Sequence, residues 1–392
     1  MPIKITGDTY LKFVKVGTMT VLPVANFTRT PSSGNAPLTV NFTDTSTNYP
    51  TSWLWHFGDG ATSTLQNPSH TYSSAASFTP SLTATNSSGS ASHNGSAISV
   101  SPAAFSGSAN INSSGILTGS YYSVVSFGSG SFTMTDYTST HSYYTTNSGS
   151  TWTLANTGST NGVSGLAYGS GYVAGVTGNS TTVNQLWYTT DGITWGYNSL
   201  PVTGQWRGVV FGGGQFVVYG SNTNVLVSSD LSSWSTVSSG VTTTFVNGNY
   251  DNGIFMLCGT NNLVGVSADG GASWSHHSTP VAFLSVAYGN GVWVGTAQNG
   301  NSYTSTDNGT TWTTHTSVMP ISSFWYQVRY GNGVFLAVCD SQNSTGSAAY
   351  STNGTSWSTV SGMQGSGWRG LAYSVNGTFA VTHGGTSAAT IV

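Results

Sequence analysis

Short apolar runs punctuated by turn residues recur along residues 103–392 at a nearly constant interval. An aromatic residue followed by a turn residue stands at Phe127-Gly128, Tyr168-Gly169, Phe211-Gly212, Tyr250-Asp251, Tyr288-Gly289, Tyr330-Gly331 and Tyr373-Ser374. Each of these seven markers precedes an apolar run such as Val292-Trp293-Val294, the pattern expected of a strand buried on both faces. Between the markers a second signature repeats, a small polar cluster that closes on a tryptophan. These clusters end at Trp152, Trp195, Trp234, Trp274, Trp312 and Trp357, with successive spacings of 43, 39, 40, 38 and 45 residues.

A repeat of this length predicts a β-propeller or a similar array of supersecondary units. Each repeat reads as strand a, a glycine turn, strand b, a variable loop, strand c, the polar turn and strand d. Seven markers over 290 residues give about 41 residues per blade, a usual repeat length for such a fold. The seventh repeat has room for three strands only. The segment at 111–118 is expected to supply its outer strand, closing the ring with strands from both ends of the repeat region and leaving no open edge.

The polar cluster has its own logic. An Asp or Asn accepts hydrogen bonds from backbone N–H groups just ahead of it, glycine supplies positive φ, and the tryptophan buries a large apolar surface beneath the turn. Asp191, Asp230, Asp269 and Asp307 hold the acidic position in four copies, and Asn147 and Asn353 hold it in the other two. The clusters resemble the Asp-box, or bacterial neuraminidase repeat, in a degenerate form. The role expected of them is turn stabilisation, with neither catalysis nor calcium binding.

Residues 24–101 follow a different pattern. Short alternating segments, Pro37-Leu38-Thr39-Val40-Asn41-Phe42 and Ser81-Leu82-Thr83-Ala84-Thr85-Asn86 among them, predict a β-sandwich of immunoglobulin-like build. Within it Trp55-His56-Phe57-Gly58-Asp59-Gly60 is followed by Pro68-Ser69-His70-Thr71-Tyr72. This stretch resembles a PKD domain, with Trp55 and Phe57 alternating toward the core and the Gly-Asp-Gly making a turn. The resemblance implies a spacer or adhesive module at an extracellular or virion surface, and no reaction.

Charge sets residues 1–23 apart. All three lysines, Lys4, Lys12 and Lys15, lie there beside Asp8, and the remaining cations are Arg29, Arg207, Arg329 and Arg369. Alternation around Ile3-Lys4-Ile5 and Leu11-Lys12-Phe13 suggests short strands, too short to fold alone. The segment reads as an attachment arm or as a leader associated with the sandwich. Only 4% of residues are charged and glutamate is absent, so solubility must come from Ser, Thr, Asn and Gly.

A net charge of −3 without a basic patch argues against nucleic-acid binding, and no apolar stretch is long enough to span a bilayer. Cys258 and Cys339 fall on strand b of the fourth and sixth blades, which argues against a disulfide between them. The N-terminus lacks the pattern of a secretory signal. For a chain of extracellular character, assembly on a phage particle in the host cytoplasm, followed by lysis, is the simplest route outward.

Catalytic and metal chemistry find little support. The enzymes that the box clusters bring to mind use a Glu-activated Tyr and an arginine motif before the first blade, and both are missing here. With four of the seven propeller aspartates in box turns, Asp136, Asp251 and Asp340 remain for a glycosidase. His276 and His277 would point to opposite faces of a strand, and no metal or cofactor motif occurs. Five residues before each marker stand Tyr122, Val163, Trp206, Phe245, Phe283, Trp325 and Trp368, beside Arg207, Tyr326 and Arg369. On the face opposite the box turns, Trp206, Arg207, Trp325, Tyr326, Trp368 and Arg369 are the candidate ligand-binding residues. Aromatic faces would stack on sugars and guanidinium groups would hold carboxylates, unless the series packs between blades.

The expectation is thus an all-β chain: an arm at 1–23, a PKD-like sandwich at 24–101 and a seven-bladed propeller at 102–392. It is expected on a virion surface, bound to other virion proteins through the arm and to host polysaccharide through the propeller, without cofactor or enzymatic activity. A purely structural capsid decoration or head-fibre protein, a polysaccharide-degrading glycosidase and a secreted bacterial adhesin stay open. So does a homotrimeric state.

Overall fold

The computed structural model describes residues 4–5, 9–10, 21–35, 38–72, 76–101, 109–112, 116, 119, 123–128, 130–177, 184–340, 348–363, 367–375, 377–383 and 388–391. The chain divides into two compact units, Met1–Ser101 and Pro102–Val392. Among the described residues no helix is long and apolar enough to cross a membrane.

In the first unit Lys4–Ile5 and Thr9–Tyr10 pair antiparallel. The second proposed arm strand, around Leu11-Lys12-Phe13, lies outside the described residues. The sandwich begins where Val21 and Leu22 receive hydrogen bonds from Asn86 and Asn48, both at 2.9 Å. Its largest sheet orders Gly89–Asn94, Ser81–Asn86, Ser52–His56 and Thr62–Ser63. Phe27–Thr30, Leu38–Asp44 and Ser69–Tyr72 form a second sheet, and Ser33–Asn35, Ile98–Ser101 and Ala76–Phe78 a third.

Period-two alternation places Trp55 and Phe57 in a core with Phe42, Tyr72 and Leu82. Three polar contacts fasten that core. Trp55 Nε1 donates to Leu65 O at 2.8 Å, Tyr72 Oη donates to Phe57 O at 2.9 Å, and His70 stacks on Phe57 while bonding Asp59 at 2.6 Å. Gly58 sits at φ +91°, where a side chain would be strained and its Cβ would strike the backbone of Thr79.

The second unit is a ring of seven four-stranded sheets. Blades 1 to 6 start with strands Ser123–Gly128, Ser164–Gly169, Trp206–Gly212, Phe245–Asp251, Ser285–Gly289 and Trp325–Gly331, each the inner strand a of an antiparallel meander. Blade 7 takes Trp368–Tyr373, Phe379–His383 and Ala388–Ile391 from the chain's end and adds Ala109–Asn112 as its outer strand. Closure by strands from both ends is therefore present, two residues earlier than the expected start at Ile111. The inner strands touch in sequence, and blade 7 returns to blade 1.

The markers explain how the blades lock. In blades 3 to 7 the marker aromatic packs on an aromatic of its own strand b, as in Phe211 with Phe216 at 4.6 Å and Tyr330 with Phe335 at 4.9 Å. In blades 3, 4, 6 and 7 it also covers the glycine that follows the marker in the preceding blade. A Cβ on Gly169, Gly212, Gly289 or Gly331 would fall inside the ring of Phe211, Tyr250, Tyr330 or Tyr373, respectively. At the seam Ser374 takes this place, donating to Gly128 O and accepting from Gly130 N, both at 2.8 Å. In blade 4 the glycine is replaced by Asp251.

All six polar turns adopt one hydrogen-bond scheme whether they carry Asp or Asn. The preceding Ser or Thr hydroxyl donates to the carboxylate or amide oxygen, which also accepts backbone N–H groups ahead, as in Asp191 from Ile193 and Thr194 at 2.8 Å and Asn353 from Thr355 at 2.9 Å. The closing indole donates back to the turn in four copies, for example Trp312 Nε1 to Gly309 O at 3.0 Å. The backbone N–H of Ser233 holds the Asp230 carboxyl at a pKa of about 2. The hydroxyls of Ser273 and Thr311 do the same for Asp269 and Asp307.

Candidate functional site

Strand a runs outward along the central channel, so its first residues line the face opposite the box turns. Every described member of the aromatic series, from Val163 through Trp206, Phe245, Phe283 and Trp325 to Trp368, is at most 1% exposed. The expectation that the rings Trp206, Trp325 and Trp368 offer a ligand-binding surface on that face is corrected: they fill the blades, as Trp206 does among Ala167, Val218 and Leu226. Tyr122 lies outside the described residues.

Their neighbours behave differently. In blades 3, 4, 6 and 7 the pairing of strands a and b slips by one residue just after the buried aromatic, between Trp206 and Gly208, Phe245 and Asn247, Trp325 and Gln327, and Trp368 and Gly370. A bulge of this kind re-aims the extra residue. The extra residues are Arg207, Val246, Tyr326 and Arg369, and all four line one cavity of about 410 Å³.

Arg329 joins them, so every arginine of the propeller borders this space. Arg369 is engaged: its Nε and Nη2 donate to Asp340 Oδ2 at 3.2 and 2.5 Å, and its guanidinium lies 4.6 Å from the Tyr326 ring centre. Phe324, 43% exposed, stacks on Tyr326 at 6.0 Å and 18°. Among the described residues no carboxylate pairs with Arg207 or Arg329, and Arg207 Nε is buried without a partner. A guanidinium without a paired carboxylate in a concave wall favours an anion, Arg207 more than Arg329, whose charge Asp251 partly offsets, and the planar fork suits a carboxylate.

Arg329 also borders a second cavity of about 280 Å³, nearer the box-turn face, with Asn249, Asp251, Tyr330 and Tyr373. Asn249 Nδ2 donates to Asp251 Oδ2 at 2.8 Å. Burial pushes the Asp251 carboxyl up to about 6 against the opposing pull of Arg329, whose own pKa burial lowers. An unfolded aspartate titrates near 3.9, so this group favours the fold below about pH 4 and progressively loses that contribution as pH rises to about 6. At 1.36 kcal/mol per unit the loss is about 3 kcal/mol. Asp251→Asn should therefore stabilise the protein at pH 7 by up to about 3 kcal/mol and leave it unchanged at pH 4. Urea unfolding at both pH values checks this, and equal gains at the two would refute it.

The other sequence candidates are scattered. Asp136 is held by Thr138 and Ser139, Asp340 by Arg369, and His276 and His277 sit on the outer strand Ser275–Ser278 of blade 4. Cys258 and Cys339 are buried free thiols. Among the described residues no group of three or more metal-ligating side chains gathers.

Sequence reasoning missed Arg329, Asn247, Gln327 and Phe324 as parts of the site. A position-by-position comparison of the repeats carries the signal. One residue before the marker the blades read Ser126, Ala167, Val210, Asn249, Ala287, Arg329 and Ala372, so blades 4 and 6 depart toward large polar side chains.

Residues 20–100 match the PKD domain family. No curated protein matches the chain. Among solved structures, a streptogramin B lyase superposes with a TM-score of 0.62 at 10% identity, covering 72% of this chain and 97% of that one. YCF48 bound to a D1 peptide gives 0.58 at 12% identity, covering 74% and 97%. The WD40 domain of Neurospora crassa Pan2 gives 0.55 at 9%, covering 70% and 89%. At such identities the likeness concerns fold alone. The chain is a PKD domain at residues 20–100 followed by a seven-bladed β-propeller.

Proposed function

We propose that this is a non-enzymatic surface protein of a phage virion whose propeller holds acidic polysaccharide of the host surface. The observation that carries the reading is the convergence of all three propeller arginines on one cavity, two of them without a carboxylate partner among the described residues. A saccharide carboxylate would dock on Arg207 and Arg329, with Tyr326 and Arg369 framing the entrance. The Asp-box-like turns brace the opposite face, and four of the propeller's aspartates are engaged in them.

Residues 1–23 serve as the arm that docks on other virion proteins, and the PKD domain sets the propeller apart from the particle. Many copies on one particle would turn weak single contacts into firm adhesion.

Arg207→Ala should weaken binding of the purified protein to host-surface polysaccharide about tenfold while leaving the melting temperature unchanged. Binding should also fall as salt rises. Wild-type protein that binds neither host cells nor their polysaccharide would favour a capsid decoration or head fibre. Release of reducing sugar would favour a glycosidase. Labelling intact particles tests the location, and absence from particles would favour a secreted adhesin.

A further inference from the structure

Blade 6 sets two aromatic rings together at the edge of the arginine cavity. Six residues before the marker it has Phe324 where blades 2 to 5 and 7 have glycine, glutamine, threonine or alanine, and Tyr121 of blade 1 lies outside the described residues. Four residues before the marker it has Tyr326, where every other blade has serine, arginine, valine or leucine. A single exposed phenylalanine is ordinary on a protein surface, and Phe324 differs in how firmly it is held. Its carbonyl accepts from Asp340 N at 3.2 Å, the Asp340 carboxylate takes Arg369, the Arg369 guanidinium covers Tyr326, and Tyr326 backs the Phe324 ring at 18°. This circuit fixes both main chain and ring while 43% of the residue stays open to solvent.

An aromatic ring that is fixed before any ligand arrives gives up little freedom on binding, and its bare π-face suits the C–H face of a sugar. Tyr326 lines the cavity, and the Phe324 ring lies 6.0 Å further out, a separation of the order of one pyranose ring. We infer that Phe324 is a second sugar subsite, which stacks on the pyranose next to the acidic one held by Arg207 and Arg329. Because Asp340 engages Arg369, the ring at this subsite is held by its apolar face and not by charge. This inference rests on the acidic-polysaccharide reading above and adds where the glycan chain continues beyond its acid.

The test uses galacturonate and trigalacturonate as probes on full-length protein, the trimer by calorimetry and the monomer by its competition with the trimer. Phe324→Ala should bind trigalacturonate about tenfold more weakly, bind galacturonate within about twofold of wild type, and melt at the wild-type temperature. Phe324→Trp, with a larger π-face, should hold the trimer at least as well as wild type. Should the alanine variant fold poorly, Phe324→Leu keeps an apolar side chain against Tyr326 and gives the same comparison. Arg207→Ala should weaken binding of both sugars. Undiminished trimer affinity in folded Phe324→Ala, or equal losses of monomer and trimer there, alongside the loss in Arg207→Ala, overturns this inference alone. Failure of wild type to bind trigalacturonate overturns it together with the reading on which it rests.

Discussion

Gly212→Val is expected to unfold the propeller or to cost it at least about 4 kcal/mol, the largest effect of any single substitution considered. The reason lies in the blade-to-blade latch: a Cβ at Gly212 would occupy the ring of Tyr250, and Tyr250 in turn packs on Phe255 at 4.6 Å. Any side chain there must expel Tyr250 from its seat. The blade then loses both the tyrosine's packing and its grip on blade 3. Gly214 supplies the control, since a Cβ there meets nothing within 4 Å and Gly214→Ala carries only the strain of φ +79°, about 1 kcal/mol. If the latch is the cause, Tyr250→Ala combined with Gly212→Ala should cost less than the sum of the two single changes. Melting curves for the set decide it, and similar losses for the Gly212 and Gly214 variants would refute the latch.

Trp206→Ala should cost about 3–5 kcal/mol by leaving a large cavity among Ala167, Val218 and Leu226. Binding per folded molecule should stay close to wild type, because the indole is 1% exposed and does not line the arginine cavity. Arg207→Ala, its sequence neighbour, should do the reverse. The two measurements together, denaturant unfolding and polysaccharide binding, separate a packing residue from a ligand residue one peptide bond away. A Trp206→Ala protein that keeps its stability but loses binding would contradict this assignment.

That pair also shows what the sequence does and does not reveal. Blade count, strand order, box turns and ring closure were legible because they are periodic and each follows from local chemistry: turn residues, apolar runs and a regular spacing. The Trp-Arg steps at 206 and 368 were legible as special, and Arg207, Tyr326 and Arg369 do border the cavity. Which member of each step faces the channel was not legible, since strand alternation and a bulge together decide it and a bulge is a property of pairing between strands. Asn247, Gln327 and Arg329 escaped notice for a different reason. They are large polar residues in columns otherwise mostly of small or apolar ones, visible only when the repeats are set side by side, and a search for aromatic residues passes over them.

The seam of blade 7 bears on how the ring forms. Each of the first six blades is a meander of neighbouring segments and can form locally as the chain emerges. Ala109–Asn112 is made before any of them, yet its partner Ala388–Ile391 follows roughly 280 residues later. Ring closure is thus one late, long-range step after a series of short-range ones, the kind of contact that slows folding most. Until that step the outer strand of blade 7 has an unpaired edge, to which a second copy of the chain could offer a strand.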